Sequence, residues 1–93
     1  MNKHILMVID HKMNPEKYTQ DQLEENYKTA DAAAAAADAA ADYNTYAAAR
    51  AARAAAAYAA AYRAARTAYW LNNYFKESGE CEQDYIDAIN KDK

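Results

Sequence analysis

Apolar side chains larger than alanine lie mainly toward the two ends of this chain, and its middle is a tract of alanine. The tract runs from Ala30 to Ala68, with aspartate, arginine and tyrosine set into it and no glycine or proline. Because alanine has the highest intrinsic helix propensity, the tract predicts helix along its whole length. We therefore expect an all-α fold dominated by one long helix over about 20–77, roughly 87 Å in length at 1.5 Å per residue.

The N-terminal region carries separate helix signals. The apolar run at 4–9 is compatible with a strand, but no other segment has a strand pattern with which it would pair. A short helix within 1–14, capped by Asn2, is the better prediction. The Asn-Pro pair at 14–15 and a capping-box pattern at 19–22 both fit the start of the next helix.

The remaining helix bounds follow from turn residues. The long helix is predicted within 15–77, because Ser78–Gly79 supplies a stop, and a short helix follows over 80–91. All of these elements belong to a single domain, 1–93. The alternative to the long helix is a hairpin with its turn near 42–45, where residues of modest helix propensity interrupt the alanines.

Charge is divided between the two halves of the tract. Residues 16–42 carry a net charge of −5, and residues 43–76 carry a net charge of +5. Antiparallel pairing would match these halves, either between two copies in a homo-oligomer or across a hairpin. Small residues at alternating spacings of four and three predict a coiled-coil-like seam for such pairing. The predicted seam contains Ala33, Ala37, Ala40, Asn44, Ala47, Ala51 and Ala54. Asn44 either fixes the register within the seam or lies exposed at a turn.

Few residues suit catalysis or metal binding. The single glycine excludes a glycine-rich phosphate loop, and His4 and His11 alone are too few ligands for a metal site. Cys81 lies among acidic residues, which oppose formation of the reactive thiolate. We therefore expect no enzymatic activity, no cofactor and no bound metal.

Charge and cysteine content indicate the compartment. Aspartates and arginines interrupt the alanine tract, and their cost in hydrocarbon argues against a membrane span. Residues 1–13 lack the pattern of a secretory signal. The single cysteine allows no internal disulfide, which favours a reducing environment. We expect a cytoplasmic protein.

Tyrosine is the most informative side chain for function. The chain has nine tyrosines and one phenylalanine, and tyrosine is enriched at protein interfaces. The aromatic cluster within 69–75 is expected to pack against the last helix near Tyr85. The predicted partner-binding residues are Tyr58, Tyr62, Tyr69, Arg63 and Arg66.

Arginines between these tyrosines suggest an alternative. Basic side chains interleaved with aromatic rings are typical of proteins that bind single-stranded nucleic acid. The arginines of this stretch are Arg50, Arg53, Arg63 and Arg66. The whole chain has a net charge of −3, whereas nucleic-acid binders usually carry a basic surplus. Protein binding is therefore favoured, with nucleic-acid binding and a structural oligomerisation role as alternatives.

Three segments carry a resemblance to known proteins: NPEKYTQDQLEEN at 14–26, AYWLNNYFKESGE at 68–80 and DYIDAIN at 84–90. Together with the Ala/Tyr/Asp tract, they resemble small Ala- and Tyr-rich uncharacterised proteins encoded in tailed-phage genomes. The resemblance covers most of the chain and implies no catalytic residues. It implies an accessory protein in a bacterial host cell that binds and inhibits a host or defence protein.

Overall fold

Five helices and no strand make up the part of the chain that the computed structural model describes, residues 1–40 and 42–92. The helices are α1 (Lys3–Met13), α2 (Gln20–Ala39), α3 (Tyr43–Ala60), α4 (Ala64–Ser78) and α5 (Glu82–Lys91). The all-α prediction is confirmed. The single long helix is wrong, because the longest dimension of the molecule is 37 Å, whereas the predicted helix would measure about 87 Å.

The first break in the predicted long helix lies just before most of the residues at 42–45 that the hairpin alternative assigned to a turn, since Tyr43–Thr45 already belong to α3. α2 ends at Ala39, and Asp42 caps α3 by accepting hydrogen bonds from the hydroxyl and the backbone N–H of Thr45, at 2.8 and 3.3 Å. These bonds, the hydroxyl bond foremost, hold the pKa of the Asp42 carboxyl below its ordinary value. The alanine helix therefore ends here without glycine or proline, because Asp42 supplies a strong N-cap for the first turn of α3.

α2 and α3 form an antiparallel hairpin. Arg53 Nη1 lies 3.2 Å from Asp31 Oδ1, and Gln20 Nε2 donates a hydrogen bond to the Ala60 carbonyl at 2.7 Å. The acidic half of the tract thus faces the basic half within one chain. Both side chains of the ion pair are about half exposed, so the pair contributes only about 0–1 kcal/mol to stability.

The second break, between α3 and α4, is one that the sequence analysis does not predict. The chain turns because Tyr62 adopts the left-handed backbone conformation, with φ 57°. The N–H of Tyr62 donates to the Ala59 carbonyl at 3.0 Å, and the N–H of Arg63 donates to the Tyr58 carbonyl at 2.9 Å. This is the Schellman arrangement, which usually has glycine at the left-handed position. A bulky residue there costs roughly 1–3 kcal/mol of backbone strain.

Asparagines flank α1 at both ends. The Asn2 side chain accepts hydrogen bonds from the backbone N–H groups of His4 and Ile5, at 2.8 and 3.2 Å, which confirms the predicted cap. Asn14 ends α1 and does not start the next helix, since its backbone N–H donates to the Asp10 carbonyl. The capping box at 19–22 is confirmed, and it starts α2.

A buried carboxylate ties the link between α1 and α2 to α1. Asp10 is 6% exposed and accepts hydrogen bonds from Lys17 Nζ at 2.5 Å, Tyr18 Oη at 2.6 Å and Asn14 Nδ2 at 2.8 Å. Burial opposes ionisation of this carboxyl, but the hydrogen bonds outweigh burial and hold its pKa below the ordinary value. The charged form of Asp10 therefore stabilises the fold.

The core lies where α1 packs on the tract helices. Ile5, Val8 and Ile9 are buried in one cluster with Leu71 and with alanines of α3. The buried alanines of α3 are Ala51, Ala52, Ala55, Ala56, Ala59 and Ala60. α3 contacts α1, α2 and α4, and the spacing between helices depends on the side chains at the contact. Methyl groups therefore let three helices approach this central helix closely.

The predicted seam is not the buried stripe of the tract. Of the seam residues, Ala37 and Ala51 are buried, Ala47 and Ala54 are half-buried, and Ala33, Ala40 and Asn44 are exposed. The buried residues of α2 are Leu23, Asn26, Ala30, Ala34 and Ala37. The turn between α2 and α3 resets the helical phase, so a periodicity extended through it marks the wrong faces.

α4 ends at the predicted stop, and α5 packs against α1 and against the aromatic rings near the end of α4. The glycine at the stop has the left-handed conformation, with φ 74°. The buried ring of Tyr85 lies edge-on to Phe75, with centroids 5.6 Å apart. Glu80 accepts hydrogen bonds from the hydroxyls of Tyr85 and Tyr74, and burial followed by the Glu80 contact raises the pKa of Tyr85. The predicted packing of the aromatic cluster on the last helix is confirmed for Tyr74 and Phe75.

Candidate partner-binding groove

An open groove crosses the tract helices. Its rings come from Tyr27 of α2, Tyr58 of α3 and Trp70 of α4, and its volume is about 250 Å³. Ala54 and Ala57 contribute only methyl groups, which leave room between the rings. We call this surface the aromatic groove, and it comprises Tyr27, Arg50, Arg53, Ala54, Ala57, Tyr58 and Trp70.

The sequence of α3 explains why the groove stays open. The groove residues of α3 recur at spacings of three and four, on the helix face opposite the buried Ala55 and Ala59. That outer face has alanine where a larger side chain would fill the space. Each of the three rings around it is only half-buried. Rings that present an apolar body and a polar tip suit contact with a partner.

The two guanidinium groups of the groove differ in their pairing. Arg53 is held by Asp31 across the hairpin. Arg50 is exposed, and its side chain makes no ion pair or hydrogen bond within the described residues. A guanidinium group is a planar, bidentate donor that matches a carboxylate. Arg50 therefore keeps its donors available for a partner.

A smaller depression continues from the aromatic groove toward the α2–α3 turn. It shares both arginines, adds Asp31, Asp38 and Tyr46, and has a volume of about 180 Å³. The two aspartates balance the two arginines, so the combined surface is not a basic stripe. A phosphate backbone laid along it would meet carboxylates as well as arginines.

The structure divides the predicted partner-binding residues among three places. Tyr58 lines the aromatic groove, and Tyr69 lies beside it, with its ring edge-on to the groove tryptophan at 5.2 Å. Tyr62 and Arg63 lie at the α3–α4 turn and line a separate cavity against α1. Arg66 is exposed on α4 and lines neither of these sites. The fold therefore does not join these residues into one surface.

Tyr27 is the groove residue that the sequence analysis does not single out. In the hairpin Asp31 faces Arg53, so Tyr27, one turn earlier on α2, faces Ala57, one turn later on α3. A tyrosine opposite an alanine across two antiparallel helices is the signal that identifies it. This facing pair can be recognised only when the position of the hairpin turn is known, and the prediction of one long helix contains no such turn.

The histidines and the cysteine lie in separate environments. His4 is buried, with Nδ1 3.1 Å from Asn26 Oδ1, whereas the ring of His11 lies edge-on to Tyr62. Cys81 is exposed just before α5. Within the described part of the chain, no three His, Cys, Asp or Glu side chains are grouped so as to hold a metal ion.

No protein-family model matches this chain, and neither the curated proteins nor the solved structures give a significant match to it. None of the helices in the described residues is both long and apolar enough to cross a bilayer. The chemistry of the aromatic groove is therefore the basis for a functional conclusion.

Proposed function

We propose that the protein is a non-enzymatic accessory protein of a tailed phage that binds and inhibits a bacterial host or defence protein in the cytoplasm. The aromatic groove is the proposed contact surface. The observation that carries this proposal is the set of three half-buried rings beside an unpaired Arg50. The phage context rests on the resemblance of the segments at 14–26, 68–80 and 84–90.

The composition of the groove supports a protein as the partner. Tyrosine, tryptophan and arginine are the residues enriched among the energetic hot spots of protein interfaces. The space above Ala54 and Ala57 suits one apolar side chain, and Arg50 suits a carboxylate beside it. We therefore propose that the target presents an acidic segment with an apolar anchor.

A pull-down with the tagged full chain from nuclease-treated bacterial lysate, analysed by mass spectrometry, tests this proposal. We expect one protein in stoichiometric amount, and we expect its activity to fall when the purified chain is added. Tyr58→Ala and Arg50→Gln should lose the target. The matched controls Tyr43→Ala and Arg66→Gln are exposed and lie outside the groove, so they should retain it. A lysate that yields no stoichiometric protein, or a target lost equally by the controls, contradicts the proposal.

Single-stranded nucleic acid is the second candidate, and the pairing of groove rings with Arg50 and Arg53 favours it. This candidate predicts recovered material that disappears with nuclease, and an affinity for oligonucleotides that falls steeply with salt. The adjacent Asp31 and Asp38 and the net charge of −3 count against it. An interaction with a protein that does not depend on salt would contradict nucleic-acid binding as the function.

Self-association is a separate proposal. The acidic and basic halves already meet within the hairpin through Asp31 and Arg53, so a second copy is not needed to neutralise them. Exposed alanines in α2 and just after it, such as Ala33 and Ala40, remain available for contact between copies. Sedimentation analysis tests self-association. A stable oligomer without an outside partner supports a structural role, and a monomer contradicts that role.

A further inference from the structure

A second cavity lies between α1 and the turn that joins α3 to α4. Its volume is about 230 Å³, which is smaller than the roughly 300–1,000 Å³ of sites for drug-sized ligands. Its apolar lining comes from Val8, Pro15, Ala59, Ala64 and Ala68. The cavity therefore suits a body about the size of a single ring or a short branched chain.

The polar side of this cavity is basic. His11, Lys12 and Arg63 line it, and no carboxylate of the described residues does. Lys12 and Arg63 are exposed, and their side chains make no ion pair within the described part of the chain. The cavity thus presents two unpaired cationic groups beside an apolar wall.

One ring nitrogen of His11 lacks a hydrogen-bond partner within the described part of the chain. Its Nδ1 is buried and has no hydrogen-bond partner among the described residues. Buried polar side-chain atoms in native proteins are nearly always hydrogen-bonded, and each exception calls for an explanation, such as an unseen water or ligand. Because this nitrogen has almost no accessible surface, a ligand oxygen in the cavity would become its partner only after the His11 ring rotates toward the cavity.

The backbone of the α3–α4 turn also supports a ligand site in this cavity. Tyr62 keeps its strained left-handed conformation although its side chain is 63% exposed, so burial of the ring does not account for it. Its ring instead lies edge-on to His11, with centroids 5.7 Å apart, at the cavity wall. α4 begins there without a side-chain cap, so its first amide groups add partial positive charge.

We propose that this cavity binds a monocarboxylate with a single apolar group, such as a small aromatic acid. The carboxylate interacts with the exposed Arg63 and Lys12, and the apolar group packs against the accessible wall formed by Pro15, Ala64 and Ala68. This site shares no residue with the aromatic groove. Failure of either proposal therefore leaves the other standing.

The first experiment titrates phenylacetate into the isotope-labelled full chain and follows backbone amide shifts by NMR. We expect shifts around the α3–α4 turn and a Kd of about 1 mM, a modest value for ten non-hydrogen atoms. Phenylacetamide has the same shape without the charge, and it should bind at least about tenfold more weakly, because hydrogen bonds to charged groups are the stronger ones. Equal affinity for acid and amide, or no shifts with the acid, overturns the proposal.

Three variants test the geometry. Arg63→Gln should weaken binding about tenfold, and the matched control Arg66→Gln, which does not line the cavity, should not change it. Ala64→Leu places a larger side chain at an exposed position of the cavity wall, so it should abolish binding while the helix content measured by circular dichroism stays unchanged. Wild-type affinity in Ala64→Leu, or equal losses in the two arginine variants, overturns the proposal.

A final titration separates two sources of the same chemistry. A short peptide that ends in phenylalanine carries a carboxylate beside an apolar ring, as a free aromatic acid does. Tighter binding of this peptide than of phenylacetate, lost on amidation of its C-terminus, assigns the site to a protein C-terminus. Tighter binding of phenylacetate assigns it to a free acid, and either result supports a carboxylate site.

Discussion

The two ends of the molecule are stabilised by different side chains. At one end α1, α4 and α5 bury Ile5, Leu71 and Tyr85, whereas near the α2–α3 turn the buried residues of α2 are Ala34 and Ala37. Full burial of a large apolar side chain contributes about 1.5–3 kcal/mol, but a methyl group contributes only about 0.8 kcal/mol. The comparison indicates that the large side chains supply most of the stability, and that helix propensity and capping maintain the hairpin.

The largest expected effect comes from a substitution at the end with large side chains. Ile5→Ala removes a side chain that is 0% exposed, so it should lower the free energy of unfolding by about 2–5 kcal/mol. Ala37→Gly at the other end should cost about 1 kcal/mol through helix propensity. Urea denaturation measures both values, and similar losses at the two ends would contradict the comparison.

The next effect tests whether the alanines of α3 are required for packing. Ala55 is 0% exposed between α3 and its neighbours, so Ala55→Leu should destabilise the fold by about 1–3 kcal/mol through overpacking. Ala33→Leu places the same side chain on an exposed site of the predicted seam, and it should change stability by less than about 0.5 kcal/mol. Thermal unfolding of the two leucine variants separates the effect of packing from that of added hydrophobicity. A large loss of stability in Ala33→Leu would indicate that Ala33 is packed, as the predicted seam requires.

A smaller effect, with a pH dependence, is expected at Asp10. Asp10→Asn weakens the hydrogen bonds to Lys17 and Tyr18 and should cost about 1–2 kcal/mol at pH 7. The pKa of Asp10 is lower in the folded chain than its ordinary value of 3.8, so the ionised carboxylate stabilises the fold above that value. This contribution is lost as the pH falls through the folded pKa. Urea midpoints of wild type and variant should therefore converge below about pH 4, and a constant difference would contradict this role.

The smallest effect is expected at the ion pair of the hairpin. Arg53 and Asp31 are about half exposed, so Arg53→Gln should lower stability by less than about 0.5 kcal/mol. Amide hydrogen exchange should rise only in the parts of α2 and α3 near their turn. A global loss of protection would show that the hairpin end carries more of the stability than its methyl groups suggest.

Local signals account for the parts of the fold that the sequence predicts. Asn2 and the capping box at 19–22 act within one helical turn, and Gly79 has a backbone freedom that few other residues share. Each of these signals is therefore visible in a short window of sequence. The all-α class follows from the alanine content for the same reason.

The parts that the sequence does not predict depend on contacts between distant residues. Tyr62 ends α3 in a conformation that its own side chain disfavours, so only the surrounding structure selects it. Trp70 and Tyr27 reach one groove because two turns bring three helices together. The predicted site residues share a surface only on one continuous helix, and the turns therefore distribute them over separate surfaces.

The burial of α3 has a consequence for how the gene tolerates mutation. Every replacement of Ala55 or Ala56 enlarges the side chain, except glycine, which weakens the helix. The buried alanines of α3 are therefore expected to accept few substitutions, although their side chains are the smallest after glycine. A saturation library should show depletion at every third or fourth codon of α3, while the outward alanines of α2 vary freely.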